Sequence, residues 1–529
     1  MRWYNNAVFY ELYLRAFADS NGDGHGDFAG LRQKLDYLQW LGVDCIWLLP
    51  MYPSPLKDDG YDVASYYGIN PTFGQLEDFM ITLEEVHRRG MKLMVDLVLN
   101  HTSDQHPWFQ EARRSKDSPL RDYYVWSPTP DKYANVPLIF PGVETSNWAY
   151  DELTGEYYWH RFYSSQPDLN YDNPAVRKAM LEVVRFWLEL GIDGFRVDAV
   201  PYLFEREGTL CESLPETHAF IKDIRKLMEE IAPNTIMLAE ACMPPDELLP
   251  YFGDSDEFHM CFHFPLMPRL YLALARADGS SVIEVLKNTP SLPANAQWAT
   301  FLRNHDELNL WLVPPDVRDY LWDTYAPLPE QRIFTGIRRR LGPLLGHDQR
   351  KIELMHSLLL TLPGAPVLYY GDEIGMSENV TLPDRNGVRT AMQWDTTPNA
   401  GFSAAPTEQL YAPVNADSAA FNVAAQIDDP TSLLHAVRRL IHARKANTIL
   451  GESTIDWLED TPRESLCFTR GHGAGQVLAL HNLAGHPITL TIPGAASLHD
   501  ALHPDAPPAQ SDHITLPPYG YTWLKQPGS

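Results

Sequence analysis

The stretch "NPAVRKAMLEVVRFWLELGIDGFRVDAV", residues 173–200, decides the fold. Its first part repeats apolar residues at spacings of three and four, as a helix with one buried face requires, and stops at Gly191, a helix-ending residue. Its second part, "GFRVDAV" from Gly194, is a short and largely continuous apolar run. Strands covered on both faces read this way, whereas half-exposed strands alternate. A helix feeding such a strand is the repeating unit of a parallel sheet. Asp198 closes the run.

The same unit recurs on both sides of this stretch. Further short apolar runs are "AVFYELY" (Ala7), "CIWLLP" (Cys45), "KLMVDLVLN" (Lys92), "IMLAEA" (Ile236), "HMCFHF" (His259), "ATFLRN" (Ala299) and "PVLYYG" (Pro366). Helical patterns such as "FAGLRQKLDYLQWLG" (Phe28) and "LEDFMITLEEVHRRG" (Leu76) lie between them. Eight runs with intervening helices favour an α/β fold of the (β/α)₈ TIM-barrel type over an open doubly wound sheet. A barrel takes about 250 residues, and this chain has 529. The surplus is readable. Residues 102–172 are rich in Trp, Tyr, Pro and Asp without a clear period, and read as a domain inserted after strand three, over the catalytic mouth. Residues 307–345, after strand seven, read as a helical lid. From residue 449 to 529 short alternating runs separated by turns read as a C-terminal antiparallel β domain. The barrel thus comprises residues 1–101 and 173–448.

Bulk properties exclude several functions. The net charge of −27 repels phosphate backbones, so nucleic acid is not the expected partner. A neutral small molecule suits such a surface. The five cysteines are scattered, without a CxxC pair, which argues against disulfides and zinc. The opening residues show no signal-peptide pattern, and no apolar stretch reaches the ~18 residues of a membrane span. A cytoplasmic protein without a membrane partner is expected. A homo-oligomer stays open.

Asp198 closes "GFRVDAV", Glu240 closes "IMLAEA", and Asp306 follows "ATFLRNH". The C-terminal strand ends of a barrel converge on one face, where active sites lie. Carboxylates buried there are costly without a role. Cleaving a glycosidic bond needs two, one at the cationic carbon and one to protonate the departing oxygen, and a third can raise the donor's pKa. Arg196 lies two residues before Asp198, on the same strand face, where it can hold Asp198 ionised. Separately, "DSNGDGHGD" sets Asp19, Asn21, Asp23 and Asp27 at alternating loop positions with Gly24 sixth. Oxygen ligands so spaced suit Ca²⁺ or Mg²⁺, although position twelve is Gly30 rather than the Glu of an EF-hand.

"DGYDVASYYGI", "DLVLNHTS", "GFRVDAV", "AEA" and "FLRNHDE", in this order, resemble the motifs of the α-amylase family of glycoside hydrolases over nearly the whole chain. The resemblance implies that Asp198 is the nucleophile, Glu240 the general acid/base and Asp306 the transition-state stabiliser. It implies sugar contacts from Asp62, Tyr66, His101, Arg196 and His305. From the oligosaccharide-acting branch it adds Phe162 and Gln166 of "RFYSSQPDLN" and Arg385 of "DRNGVRT". It also implies a second Ca²⁺ site, from Asn100, Asp168 and Glu205 with the carbonyls of Tyr202 and Leu203, and no organic cofactor.

"VPYLFEREGTLCESLPETHAFIK" (Val200) and the basic "GIRRRLGPLLG" (Gly336) resemble the branch of this family that isomerises maltose to trehalose, apart from Ala391, where that branch usually has Pro. An intramolecular, retaining double displacement on a disaccharide is therefore expected, with minor hydrolysis. An α-glucosidase would share every catalytic residue. An inactive barrel serving as a binding subunit would be expected to lack one of the three acids.

Overall fold

The computed structural model describes residues 2–452 and 454–526. Eight parallel strands close a barrel in chain order: β1 (Phe9–Leu12), β2 (Cys45–Leu48), β3 (Lys92–Val98), β4 (Gly194–Asp198), β5 (Ile236–Ala239), β6 (Met260–Phe262), β7 (Gln297–Phe301) and β8 (Ala365–Tyr369), with β8 pairing back to β1. All eight apolar runs supply a strand. They are buried almost throughout, as strands between a packed barrel interior and a ring of helices must be. Gly194 starts β4 because nothing larger fits. A Cβ there would lie 2.7 Å from the Ile236 side chain and 2.9 Å from its carbonyl.

The helices begin and end where their sequences direct. Asp27 caps Phe28–Leu41 by accepting from the Gly30 N–H, and Gly42 ends that helix in the left-handed conformation at φ 106°. Asn173 caps Pro174–Glu189, with Pro in the first turn. Ser432 caps the last barrel helix, Leu433–Ala446.

The insertion after β3 holds a short helix, Pro107–Ala112, and a three-stranded antiparallel sheet of Trp126–Ser127, Glu156–Trp159 and Trp148–Asp151. A single bridge from His101 to Asp168 ties it back to the barrel, and another, Tyr124 to Leu169, closes within it. The segment after β7 is only partly the helix expected. Pro315–Tyr325 is helical, but a hairpin of Arg332–Ile333 and Gly336–Ile337 follows. The hairpin turns through Phe334 at φ 50°. The three arginines after it face inward. Arg338 donates to the carbonyls of Val380, Leu382 and Asp384, Arg339 pairs with Glu378 at 2.9 Å, and Arg340 donates to the Tyr370 carbonyl. The basic run anchors this segment to the loops after β8.

Beyond the barrel, a five-stranded antiparallel sheet and a two-stranded one make up the C-terminal region. Trp523 docks it on the helix Gln349–Thr361 through a 2.8 Å bond to Ser357. All five cysteines are free thiols. Among the described residues no helix is long and apolar enough to cross a membrane.

Candidate active site

Strands β3 and β4 pair in a register that sets Asp96 opposite Arg196. Two residues on, the same face of β4 carries Asp198. Glu240 begins the loop after β5. The Arg196 guanidinium gathers all three acids, lying 2.6 Å from Asp96, 2.5 Å from Asp198 and 2.8 Å from Glu240. Arg196 is buried, so a charge without partners would be strongly destabilising there, and three carboxylates supply them. The acids differ in consequence. Burial raises Asp198 to about 6 against the pull of Arg196. Burial also raises Glu240, to about 7, with Arg196 again opposing and the charges of Asp198 and Asp306 adding to the rise. Neighbouring carboxyls with unequal pKa values are the arrangement that assigns one as base or nucleophile and the other as acid.

A second cluster faces the first. Burial opposes ionisation of Asp306, but the Arg385 and Arg389 guanidiniums outweigh it and hold the carboxyl well below its usual range. Arg385 and Arg389 each donate to Asp306, at 2.8 and 2.9 Å, and clamp the 58–59 loop with their other nitrogens, Arg385 to Asp58 and Arg389 to Asp59, both at 2.8 Å. Burial keeps His305 neutral. Its Nδ1 bonds Glu11 of β1 at 2.5 Å and its Nε2 meets the Tyr61 hydroxyl at 2.8 Å, with the Tyr61 ring stacked on the imidazole.

Above these clusters lies a cavity of about 340 Å³ whose lining includes Glu240, Asp306, Glu307, Phe162 and Arg385. Both extra segments roof it. Phe140 of the insertion stacks on Phe334 of the hairpin at 4.7 Å and on Tyr163 at 4.6 Å, with the Arg385 guanidinium 5.2 Å from its ring centre.

Asp198, Glu240, Asp306, Arg196, His305, Arg385 and Phe162 are thus brought together. Gln166 joins through Asp58, to which its amide donates at 3.0 Å. His101 lies beneath Phe162, ring centres 5.2 Å apart, with Nε2 buried and unpartnered. Two expected contacts are corrected. Asp62 turns into its own loop, accepting from Ser54 Oγ and the backbone N–H groups of Lys57 and Asp58. Tyr66 is buried, its hydroxyl bonded to the carbonyls of Val98 and His101. Asp58 and Tyr61 face the site in their place. The sequence reading also passed over Asp96, Glu11, Asp59, Arg389 and Glu307. Asp96 had a usable signal, an acid inside the apolar run of β3.

The two loops expected to hold cations differ. Asp19 accepts from the N–H groups of Asn21, Gly22 and Gly24, Asp23 from that of His25, and Asp27 caps a helix while binding Ser20. The carboxylates of that loop bond its own backbone amides. Among the described residues no group of three or more His, Cys, Asp or Glu side chains is placed to hold a metal. At the second position, however, Asn100 Oδ1, Asp168 Oδ2 and Glu205 Oε1 are all buried with no hydrogen-bond partner. Such oxygens suit a hard cation.

Residues 11–311 and 338–453 match the alpha amylase catalytic domain. The chain belongs to the alpha-amylase family. Among its relatives in that family is a protein named trehalose synthase/amylase TreS from Mycolicibacterium smegmatis, 51% identical over 502 residues, covering 92% of this chain and 85% of the relative. Another, named trehalose synthase, from Thermus thermophilus, is 50% identical over 531 residues, covering 98% of this chain and 55% of the relative. Similar solved structures include trehalulose synthase MutB from Pseudomonas mesoacidophila, with a TM-score of 0.82 at 29% identity, covering 99% of each chain.

Proposed function

We propose that this enzyme is an isomerising transglucosylase that converts maltose to trehalose, through a β-glucosyl intermediate on Asp198. The observation that carries the chemistry is the Arg196 guanidinium holding Asp198 and Glu240 together, with burial raising both carboxyls and leaving Glu240 the higher. Carboxyls held this close suit a double displacement, which needs no gap for an attacking water between them. The choice of reaction rests on the relatives named trehalose synthase.

In the first step Asp198 attacks the anomeric carbon of the non-reducing glucose. The bond from that carbon to O4 breaks, and Glu240 gives its proton to O4. Asp306, kept ionised by Arg385 and Arg389, stabilises the positive charge that develops on the ring. His305 stays neutral, held between Glu11 and Tyr61, and His101 can donate or accept at a sugar hydroxyl through its unpartnered Nε2. The freed glucose turns within the cavity and attacks through its anomeric hydroxyl. Glu240 takes that proton, and the bond to Asp198 breaks. Two inversions leave an α,α-1,1 bond. Isomerisation instead of hydrolysis requires that glucose stays and water is kept out. The roof of Phe140, Phe334 and Tyr163 is suited to do this.

We further propose a Ca²⁺-like cation held by Asn100, Asp168 and Glu205 with the carbonyls of Tyr202 and Leu203. Its role would be structural, neutralising buried carboxylates where the insertion meets the loop after β4. The decisive experiment for the reaction is incubation of the purified enzyme with maltose. Trehalose as the main product is expected, and glucose alone would establish an α-glucosidase instead.

A further inference from the structure

An asparagine followed by glycine is chemically labile, because a residue without a Cβ lets its backbone nitrogen reach the preceding carboxamide. The chain holds two such pairs, Asn21–Gly22 and Asn386–Gly387. Exposure alone would single out the first, since Asn21 is exposed and Asn386 half-buried. The hydrogen bonds reverse that order. Attack requires a free glycine N–H and a carboxamide free to turn, and at the first pair both are tied. The Gly22 N–H donates to Asp19 Oδ1 at 2.8 Å, while Asn21 Oδ1 accepts from the Asp23 N–H at 2.9 Å and its Nδ2 donates to Asp23 at 3.1 Å.

At the second pair neither is tied. Among the described residues the Gly387 N–H has no acceptor and the Asn386 carboxamide has no partner. Asn386 opens a single 3₁₀ turn, Asn386–Val388, closed by the Val388 N–H to the Arg385 carbonyl and the Arg389 N–H to that of Asn386. Bonds of this type have poorer geometry than those of an α-helix, so one such turn is a weak restraint on the rotation that attack needs. The glycine itself is required. A Cβ at Gly387 would lie 2.5 Å from the Asn379 carbonyl, and the Gly387 carbonyl accepts from the Asn379 N–H at 2.9 Å. The turn is pressed against its neighbour with no slack. It also carries the clamp, since Arg385 precedes Asn386 and Arg389 lies three positions beyond it, and both donate to Asp306.

We propose that Asn386 is a site of spontaneous deamidation that disarms the enzyme as it ages. The Gly387 backbone nitrogen attacks Cγ of Asn386. A new C–N bond forms, the bond from Cγ to the side-chain nitrogen breaks, and ammonia leaves with the proton that Gly387 gives up. Water then opens the five-membered imide at one of its two carbonyls. One product is aspartate. The other is isoaspartate, in which the main chain runs through Cβ and Cγ and is longer by one carbon. That extra carbon falls between Arg385 and Arg389, and it shifts one guanidinium of the clamp against the other. Aspartate leaves the chain length, and so the clamp, unchanged.

The test is incubation of the full-length enzyme in warm, mildly alkaline buffer, with peptide mapping by mass spectrometry, enzymatic detection of isoaspartate and maltose consumption followed together. Asn386 should convert about tenfold faster than Asn21, whose glycine N–H is held by a charged acceptor. Loss of activity should track isoaspartate at 386. Asn386→Gln should keep its activity through the same incubation, and freshly made Asn386→Asp should be as active as the parent. Conversion of Asn21 ahead of Asn386, no conversion at Asn386, or decay of Asn386→Gln at the parent's rate would overturn the proposal. An inactive but folded Asn386→Asp protein would overturn the lengthened main chain as the cause. Peptide mapping does not depend on the proposed reaction, so a protein that converts at Asn386 yet never consumes maltose counts against that reaction alone.

Discussion

Replacing Phe334 by alanine should turn this enzyme towards hydrolysis. Phe334 sits at the tip of the hairpin after β7, half-buried, and its ring lies 4.7 Å from that of Phe140 with the planes 22° apart. This contact joins the two segments that roof the cavity. Half the burial of a phenylalanine contributes about 1 kcal/mol, and an aromatic pair adds roughly 0.5–1.5 kcal/mol. Alanine therefore removes about 1.5–2.5 kcal/mol from the closed roof. That corresponds to a factor of about 10–60 in its closed-to-open ratio. Alanine also keeps the backbone question constant, because φ at this position is 50° and both residues carry a Cβ. Glycine would relieve that strain and mix two effects. The assay is the ratio of glucose to trehalose formed from maltose at early times. It should rise severalfold, up to that factor, while consumption of maltose stays within about threefold of the parent enzyme, since no group of the two charged clusters is touched. An unchanged product ratio in a variant with unaltered thermal unfolding would refute the roof as the barrier to water.

Two further outcomes follow from the charges. Turnover needs Asp198 ionised and Glu240 protonated, so activity should rise as pH passes about 6 and fall as it passes about 7. The two limbs belong to the coupled pair, not to either residue alone. A kcat/KM profile on maltose that is flat from pH 5 to 9, or peaks above pH 8, would contradict the assignment. Chelation by EDTA should lower the unfolding temperature, and added Ca²⁺ should restore it. Binding at a hundredfold excess over Kd stabilises by about 2.7 kcal/mol. Glu205→Gln should abolish this calcium dependence, whereas a response that persists in that variant would place the cation elsewhere.

The barrel was legible because its strands are buried on both faces. Continuous apolar runs flanked by capped helices leave few other arrangements. Asp198 and Glu240 were legible for a related reason, since each sits at or just beyond a strand end. Asp306 lies five positions past the end of β7 at Phe301, so the strand run marked it more loosely than the other two. The loop with Asp58, Asp59 and Asp62 shows the limit most plainly. Leu56 and Asp59 both adopt left-handed backbone, at φ 59° and 47°, and these reversals help decide which carboxylate turns towards the cavity. Residue type and spacing contain no such information; the resemblance named Asp62, whereas Asp58 is the carboxylate that pairs with Arg385. Contacts between distant segments were equally hidden. Nothing in the local sequence links Phe140 to Phe334, Glu11 to His305, or Arg389 to Asp59.

The bond between Glu11 and His305 has a consequence for how the enzyme is made. Glu11 stands on the first strand and His305 beyond the seventh, while Arg389, which clamps Asp306 to Asp59, follows the eighth. Chains leave the ribosome from the N-terminus. The first strand must therefore wait, its buried carboxylate without its imidazole, through the synthesis of nearly the whole barrel. Asp306 emerges before the guanidiniums that keep it ionised. A nascent chain lacks the complete charge arrangement until Arg389 has emerged and β8 has paired with β1. Barrel closure and completion of the catalytic electrostatics are in this respect a single event, and a chain that stalls before it cannot act prematurely on sugar.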